Sequence, residues 1–320
     1  MLEIKLQRPK LGISACLLGH KVRYDGGHKR EYFLTDTFGD YVDWVPVCPE
    51  LEVGMGVPRE PVRLAGSVTG PRMNAERSGK DWTVQMTHYA TSRAKALKAL
   101  NLSGYVFKKN SPSCGLERVR VYNAKGMPSR HGRGLFAATI TQELPLLPVE
   151  EEGRLNDPVL RENFIERVFA YHRWQAICAL RKSIGALVDF HTRHKFLLLA
   201  HSERHYRHLG RLVATAKGIS VAETFEVYGR TFMEALAIHA NAKKHANVLD
   251  HMMGYFTKEL SRDERHELLG VIHDFRHQLI PLIVPITLMR HYGKKYQVAY
   301  LQGQLYLEPN PKELMLRNHV

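Results

Sequence analysis

At 320 residues and a formal charge of +14, the chain has room for two domains and favours a polyanionic partner, nucleic acid before acidic lipid. Its 44% hydrophobic and 24% charged residues are typical of soluble globular proteins, no apolar run approaches a membrane span, and the opening residues lack a signal-peptide core. Four cysteines without paired spacing exclude a disulfide framework, so the expectation is a cytoplasmic protein with no membrane partner.

Residues 1–148 alternate apolar runs with turn and helix signals. Leu11 to Ala15, Trp44 to Val47 and Gly104 to Phe107 each read as a buried strand closed soon afterwards by Gly or Pro. After the first run comes a loop of chargeable groups around Gly26 and Gly27, which suits an anion or a nucleotide edge. Residues 51–64 hold too much Gly and Pro for a regular helix, and Gly54-Met55-Gly56 lacks the frame of a dinucleotide site. The periodicity predicts a helix over Thr87 to Leu100, and Gly132 to Ala138 opens a further apolar segment. Prolines, an acidic run and a glycine give residues 149–157 the composition of a linker.

From residue 158 the pattern turns helical. Asp157-Pro158 offers an N-cap and an N1 proline, and periodic segments predict helices over roughly 186–201, 203–217, 221–240, 242–258 and 261–277. Leu279 to Pro285 carries two prolines in an apolar run and is expected to be bent or non-helical. The predicted architecture is an α/β domain over 1–148 with a mostly parallel sheet, a linker over 149–157, and an all-α domain over 158–320.

Fourteen of the 18 histidines fall after residue 150. His201 with His205, and His273 with His277, sit at i,i+4 without the carboxylate or cysteine of a known ligand frame, so they read as parts of a basic helical face. Arg193, Lys195, Arg204, Arg207, Arg211, Lys217, Lys243 and Lys244, interleaved with His and Tyr, suit an RNA backbone and unstacked bases.

Cys16, Cys48 and Cys114 lie at strand-to-loop junctions, whereas Cys178 sits inside a helical pattern. A free cysteine is most often a small buried hydrophobe, and Cys178 fits that description. In open α/β sheets the groups just past the strands' carboxyl ends share one crevice, where the other three would meet Glu50, Ser111 and Asp25. Three thiolates can hold zinc or an iron–sulfur cluster. Structural zinc usually takes four protein ligands and ferredoxin-type clusters four cysteines, whereas three separated cysteines leave one iron of a cubane open, as in a catalytic metal site. Such an iron favours a sulfur guest. Glu50, two residues past Cys48, is a candidate to activate water, and Ser111, three before Cys114, a candidate proton relay. A non-catalytic RNA-binding protein with structural zinc, and a redox-sensing RNA-binding protein, are the rivals; the Cys-Pro-Glu carboxylate favours catalysis over both.

Ser-Ala-Cys-Leu-Leu-Gly at 14–19, Arg-Tyr-Asp-Gly-Gly at 23–27, Cys-Pro-Glu at 48–50 and Ser-Pro-Ser-Cys-Gly at 111–115 resemble the thiouracil desulfidase family, over about residues 10–147. The second half, with its closing Tyr300-Leu301-Gln302-Gly303-Gln304-Leu305-Tyr306-Leu307-Glu308-Pro309, resembles an α-helical domain often fused to it, an architecture similar to bacterial tRNA 4-thiouridine desulfidases. The resemblance implies an enzyme with a [4Fe-4S] cluster on Cys16, Cys48 and Cys114, the substrate sulfur being taken by the iron that no cysteine holds. It implies that Glu50 deprotonates a water, that Ser111 assists proton movement, and that Asp25 belongs to the catalytic set. The expected reaction converts 4-thiouridine in tRNA to uridine without net redox change and without an obligate protein partner. Free 2-thiouracil or a thionucleoside is the alternative substrate.

Overall fold

The computed structural model describes residues 7–180, 182–216, 218 and 220–318, so Lys217 and the opening residues considered above lie outside the described residues. The chain divides into two compact units, Met1–Asn156 and Asp157–Val320. In chain order the first holds β1 (Lys10–Ser14), β2 (Asp43–Val47), the one-turn helix α1 (Pro49–Glu52), β3 (Val62–Ser67), β4 (Gly70–Ala75) and α2 (Thr83–Ala99). It continues with β5 (Gly104–Phe107), β6 (Val119–Tyr122), β7 (Pro128–Gly132), α3 (Leu135–Glu143) and β8 (Val149–Glu151).

Strands β2-β1-β5-β8 form a fully parallel sheet. All of β5, and β1 beyond Lys10, is buried, which is why these strands appear in the sequence as unbroken apolar runs. Gly12 is required in the middle of this sheet, because a Cβ there would lie 2.1 Å from Tyr105 Cδ2. The Tyr105 ring stacks on Phe107, and Phe136 of α3 meets both edge-on, so α3 closes over the sheet. From β1 the pairing runs to β2 on one side and β5 on the other. The carboxyl ends of these three strands therefore bound the crevice in which such sheets place ligands.

A second, mixed sheet has the order β4-β3-β6-β7, with two antiparallel pairs joined by a parallel β3–β6 pair. No apolar run announces it: β7 reads Pro-Ser-Arg-His-Gly and buries only its last residue. Residues 149–157 are not a free linker. Val149–Glu151 is the edge strand β8, and Glu150, Glu151 and Glu152 are nearly buried because backbone amides and basic side chains take up their carboxylates. Helix α2 starts one turn before Thr87, since Asp81 Oδ1 accepts the Thr83 N–H at 2.8 Å.

The second unit holds α4 (Pro158–Leu180), α5 (Ile184–His201), α6 (Glu203–Ala214), α7 (Val221–Ala237), α8 (Ala242–Met253), α9 (Arg262–Arg276), α10 (Ile283–Lys295) and α11 (Ala299–Gln302). Ser183, Ser202, Ser220, Asn241 and Ser261 each accept the N–H three residues on, which sets the starts of α5 to α9. Residues 279–282 lie outside any helix, as expected of the two-proline run, and helix α10 begins only at Ile283. Pro285 falls in its first turn, where a backbone N–H has no intrahelical partner to lose. The core of this unit centres on Trp174, stacked with Phe225 and Tyr228, over Gly229, where a Cβ would lie 2.6 Å from the indole nitrogen. Among the described residues no helix is long and apolar enough to cross a membrane.

Candidate active site

Each of the three junction cysteines is placed by a different strand. Cys16 lies two residues past Ser14, in a 3-10 turn ending at Gly19, whose φ of 93° suits only glycine. Cys48 follows β2 directly and is the N-cap of α1; its N–H donates to Glu52 Oε1 at 3.0 Å, and Tyr89 of α2 binds the other oxygen of Glu52 at 2.6 Å. Cys114 sits on the loop after β5. The start of α3 pins that loop: Gly134, Leu135 and Ala137 donate their N–H groups to the carbonyls of Gly115, Pro112 and Ser113. A Cβ on Gly134 would lie 2.4 Å from Ser113 O, so the approach requires glycine.

All three thiols line one cavity of about 860 Å³, together with Glu50, Ser111 and Ser113. Among the described residues no three His, Cys, Asp or Glu side chains gather tightly enough to hold a single metal ion. Burial pushes the Cys16 thiol up to about 11, with Lys108 opposing and Cys48 reinforcing it. Burial likewise raises Cys48, and raises Cys114 furthest, against hydrogen bonds from Ser14 and Ser113. Unliganded, the three are held as thiols. A cationic metal group bound there would exchange their protons for metal–sulfur bonds.

Glu50 bridges two arms of the site. Its Oε2 accepts from Arg59 Nε at 3.1 Å and Nη2 at 2.5 Å, while Arg59 Nη1 donates to the carbonyls of Val22 and Gly56. Its Oε1 accepts from Ser113 Oγ at 2.6 Å and from Ser111 Oγ at 3.4 Å, and the two hydroxyls are 2.9 Å apart. The closer hydroxyl is therefore Ser113, which sequence reasoning passed over although it shares the Ser-Pro-Ser-Cys motif. Ser111 Oγ instead accepts the Cys114 N–H at 3.1 Å. Arg59 was also missed, because nothing in the sequence brings residue 59 to residue 50.

Asp25 does not line the cavity. It is exposed, accepts the Gly27 N–H at 3.0 Å and pairs with Arg23 at 3.4 Å, so it shapes the turn that presents Arg23 and Tyr24. That N–H bond is the main reason its carboxyl sits below the usual range. Two buried carboxylates at the end of β8 hold the cysteine loop. Glu151 Oε1 accepts the N–H groups of Leu116 and Glu117, and Glu152 binds the Lys109 N–H and the Lys108 ammonium. Nine basic residues line the cavity against two acidic ones, and of the nine Arg23, Arg59 and Lys108 are paired with Asp25, Glu50 and Glu152.

In the second unit the residues expected at RNA fall into two groups. Arg204, Arg207, Arg211 and Lys243 are exposed, with Arg207 paired to Glu203 at 2.6 Å. Arg193, Lys195 and Lys244 are half-buried. Lys244 caps the end of α5 through the carbonyl of His201, and Lys195 lies over the rings of Phe196, Tyr255 and Tyr300. His201 is a core histidine, held by Glu166 at 2.5 Å and the Ile238 carbonyl at 2.6 Å.

A family described as 2-thiouracil desulfurase matches residues 11–152, and a second, described as a protein of unknown function, matches residues 195–311. The chain is 35% identical to Escherichia coli (strain K12) YbgA over 153 residues, which cover 48% of this chain and 90% of YbgA. It is 32% identical to Bacillus subtilis (strain 168) YbbK over 151 residues, covering 45% of this chain and 97% of YbbK. Both relatives are described as uncharacterized. Among solved structures, the [4Fe-4S]-dependent thiouracil desulfidase TudS is 30% identical, with a TM-score of 0.39, covering 46% of this chain and 93% of that one.

Proposed function

The chain carries a 2-thiouracil desulfurase family domain over residues 11–152, and from that premise we propose that it is an iron–sulfur desulfidase acting on 4-thiouridine in tRNA. One observation carries the reading: three thiols from three strand ends share a cavity with a carboxylate that has one oxygen anchored and the other on two hydroxyls. Cys16, Cys48 and Cys114, which line one cavity, would hold a [4Fe-4S] cluster in which each thiolate meets a different iron. When bound there, the cluster supplies a thiophilic, Lewis-acidic iron with an open position.

The protein's own groups handle the water and its protons. Arg59 fixes Glu50 Oε2, leaving Oε1 to take a proton from a water placed beside the thiocarbonyl carbon. The water oxygen bonds to that carbon, the C–S bond breaks, and sulfur departs as sulfide with no change in carbon oxidation state. Ser113 and Ser111 form a hydroxyl path between Glu50 and Cys114 along which a proton can move. The six basic residues of the cavity without an ion-pair partner among the described residues, including Arg63, Arg118, Arg120 and Arg130, favour a substrate that carries phosphate. A base in folded RNA must be unstacked to enter, at a cost of a few kcal/mol that phosphate contacts offset. The cytoplasm is the compartment such a substrate requires.

The test is anaerobic. Cluster-reconstituted protein is mixed with tRNA bearing 4-thiouridine, and its near-ultraviolet thione absorbance is followed. Loss of the band with wild type, and none with Cys114→Ala, whose bound iron also falls, is the expected result. Turnover of free 2-thiouracil with none on tRNA would replace the substrate; a site that binds tightly held zinc and no iron would remove the reaction.

A further inference from the structure

The mixed sheet β4-β3-β6-β7 has two unlike faces. Leu64 of β3, Met73 of β4, and Val119 and Val121 of β6 are buried. Alternation turns Arg63 and Arg120 the other way, and both are exposed on the wall of the thiol cavity, as is Arg130 of β7. Register brings the three side by side. Leu64 pairs with Val121 in the parallel β3–β6 ladder, so one position back Arg63 stands beside Arg120. Across β6–β7, Val119 pairs with Gly132 and Val121 with Ser129, so a bulge sets Arg120 against Arg130 and His131. Three adjacent strands thus carry a row of arginines, about 10 Å from first to last at the ordinary strand spacing.

Like charges facing one another across a ladder are destabilising. Among the described residues no carboxylate pairs with Arg63, Arg120 or Arg130; of the two acids on the cavity wall, Glu50 is held by Arg59 and Glu76 pairs with none of the three. Arg63 is steadied instead by Tyr122, its guanidinium carbon lying 5.3 Å from the ring centre. A further cation, Arg118, precedes β6 with a φ of 55°, a left-handed conformation that a residue with a side chain rarely adopts, and it lines the same wall. Backbone strain of this kind collects at ligand sites, and bulges beside active sites re-aim side chains. An anion laid along the row removes the repulsion. Three guanidinium forks on three strands suit successive phosphate groups, each able to accept paired N–H bonds.

We propose that this row is the backbone track of the substrate: Arg63, Arg120 and Arg130, with Arg118 beside them, bind the phosphates flanking the reacting nucleotide and set the preference for a polynucleotide over a free base or nucleoside. Resting on the RNA reading above, the track gives the first unit its own hold on the RNA backbone, next to the chemistry. A free mononucleotide offers the same phosphate chemistry, and the test separates the two.

Cluster-reconstituted full-length protein is assayed on 4-thiouridine, on 4-thiouridine 5′-monophosphate and on tRNA bearing 4-thiouridine, and its binding to unmodified tRNA is measured across a salt series. Arg120→Gln and the double variant Arg63→Gln/Arg130→Gln are compared with wild type, thermal melts confirming that each is folded. An RNA track predicts a kcat/KM ratio of tRNA to nucleoside about tenfold lower in Arg120→Gln and lower again in the double variant, with the salt slope of binding reduced by about one per arginine removed. A fall in the ratio of monophosphate to nucleoside with the tRNA slope unchanged assigns the row to a free nucleotide and overturns the track. Folded variants with wild-type ratios and slopes overturn the proposal while leaving the desulfidase reading standing. Slopes that fall as expected in a protein that consumes no thiouridine sink the reaction and keep the track.

Discussion

Both units bury a carboxylate against an arginine, and they use the arrangement for opposite ends. In the first, Glu50 gives one oxygen to Arg59 and turns the other toward serine hydroxyls on the wall of a cavity. In the second, Glu166 gives one oxygen to His201 and the other to Arg317, while Glu162 takes the Arg317 Nε at 3.2 Å. His245 binds the Tyr306 hydroxyl at 3.0 Å, and Arg317 also donates to the Tyr306 carbonyl. The second cluster is buried, and it lines neither the cavity of the first unit nor the cavity walled by α10 in the second. It ties the end of the chain to α4 and α5, and its charges serve the fold. Perturbed ionisable groups mark candidate sites, but a carboxylate on the wall of a cavity, rather than the perturbation, separates chemistry from architecture here.

The largest effect that would sharpen this contrast comes from Glu50→Gln, expected to lower kcat about 10²–10⁴-fold while the iron content and cluster absorbance stay at wild-type levels. Ser113→Ala should cost more than Ser111→Ala in the same assay, because Ser113 holds the shorter bond to Glu50. Equal effects would break the ordering read from the geometry.

Arg317→Met should act on stability alone. It leaves Glu162 and Glu166 buried without their cation, and urea unfolding should show a loss of about 3–5 kcal/mol. A variant of wild-type stability with impaired turnover would mean that the second cluster is functional after all.

Acid should find the second unit next. Burial works to raise the Glu166 carboxyl, but His201 and Arg317 together outweigh it and hold it at about 2. Its stability contribution is present above the ordinary value near 4.5 and is lost as pH falls toward 2. Burial pushes His245 down to about 3, so stability is also lost as pH falls from 6.5 toward 3, where the unfolded chain takes the proton first. Glu162 is raised by burial to about 7 and acts in the opposite sense between 4.5 and 7. The loss of helical far-ultraviolet signal in urea should therefore shift most steeply between pH 4.5 and 3; a flat response there would contradict the pairing.

The smallest effect belongs to Asp25→Ala. An exposed turn residue off the cavity wall should change stability by no more than about 0.5 kcal/mol and leave kcat on a free thionucleoside near wild type. A large fall in kcat on that small substrate would return Asp25 to the catalytic set.

Sequence by itself determined the frame: three apolar runs ended by turn residues, the cysteines just past them, and the Asp157-Pro158 start of the helical half. These are local signals, because burial on both faces and capping chemistry act within a few residues. The polar second sheet, the Glu50–Arg59 bridge, the preference of Glu50 for Ser113 over Ser111, and the capture of 149–151 as a strand were decided only by tertiary structure. Each joins segments whose own composition is that of a loop. Buried carboxylates in the acidic run make the same point: as sequence they repel and suggest solvent, and they become core only where amides and cations from distant loops meet them.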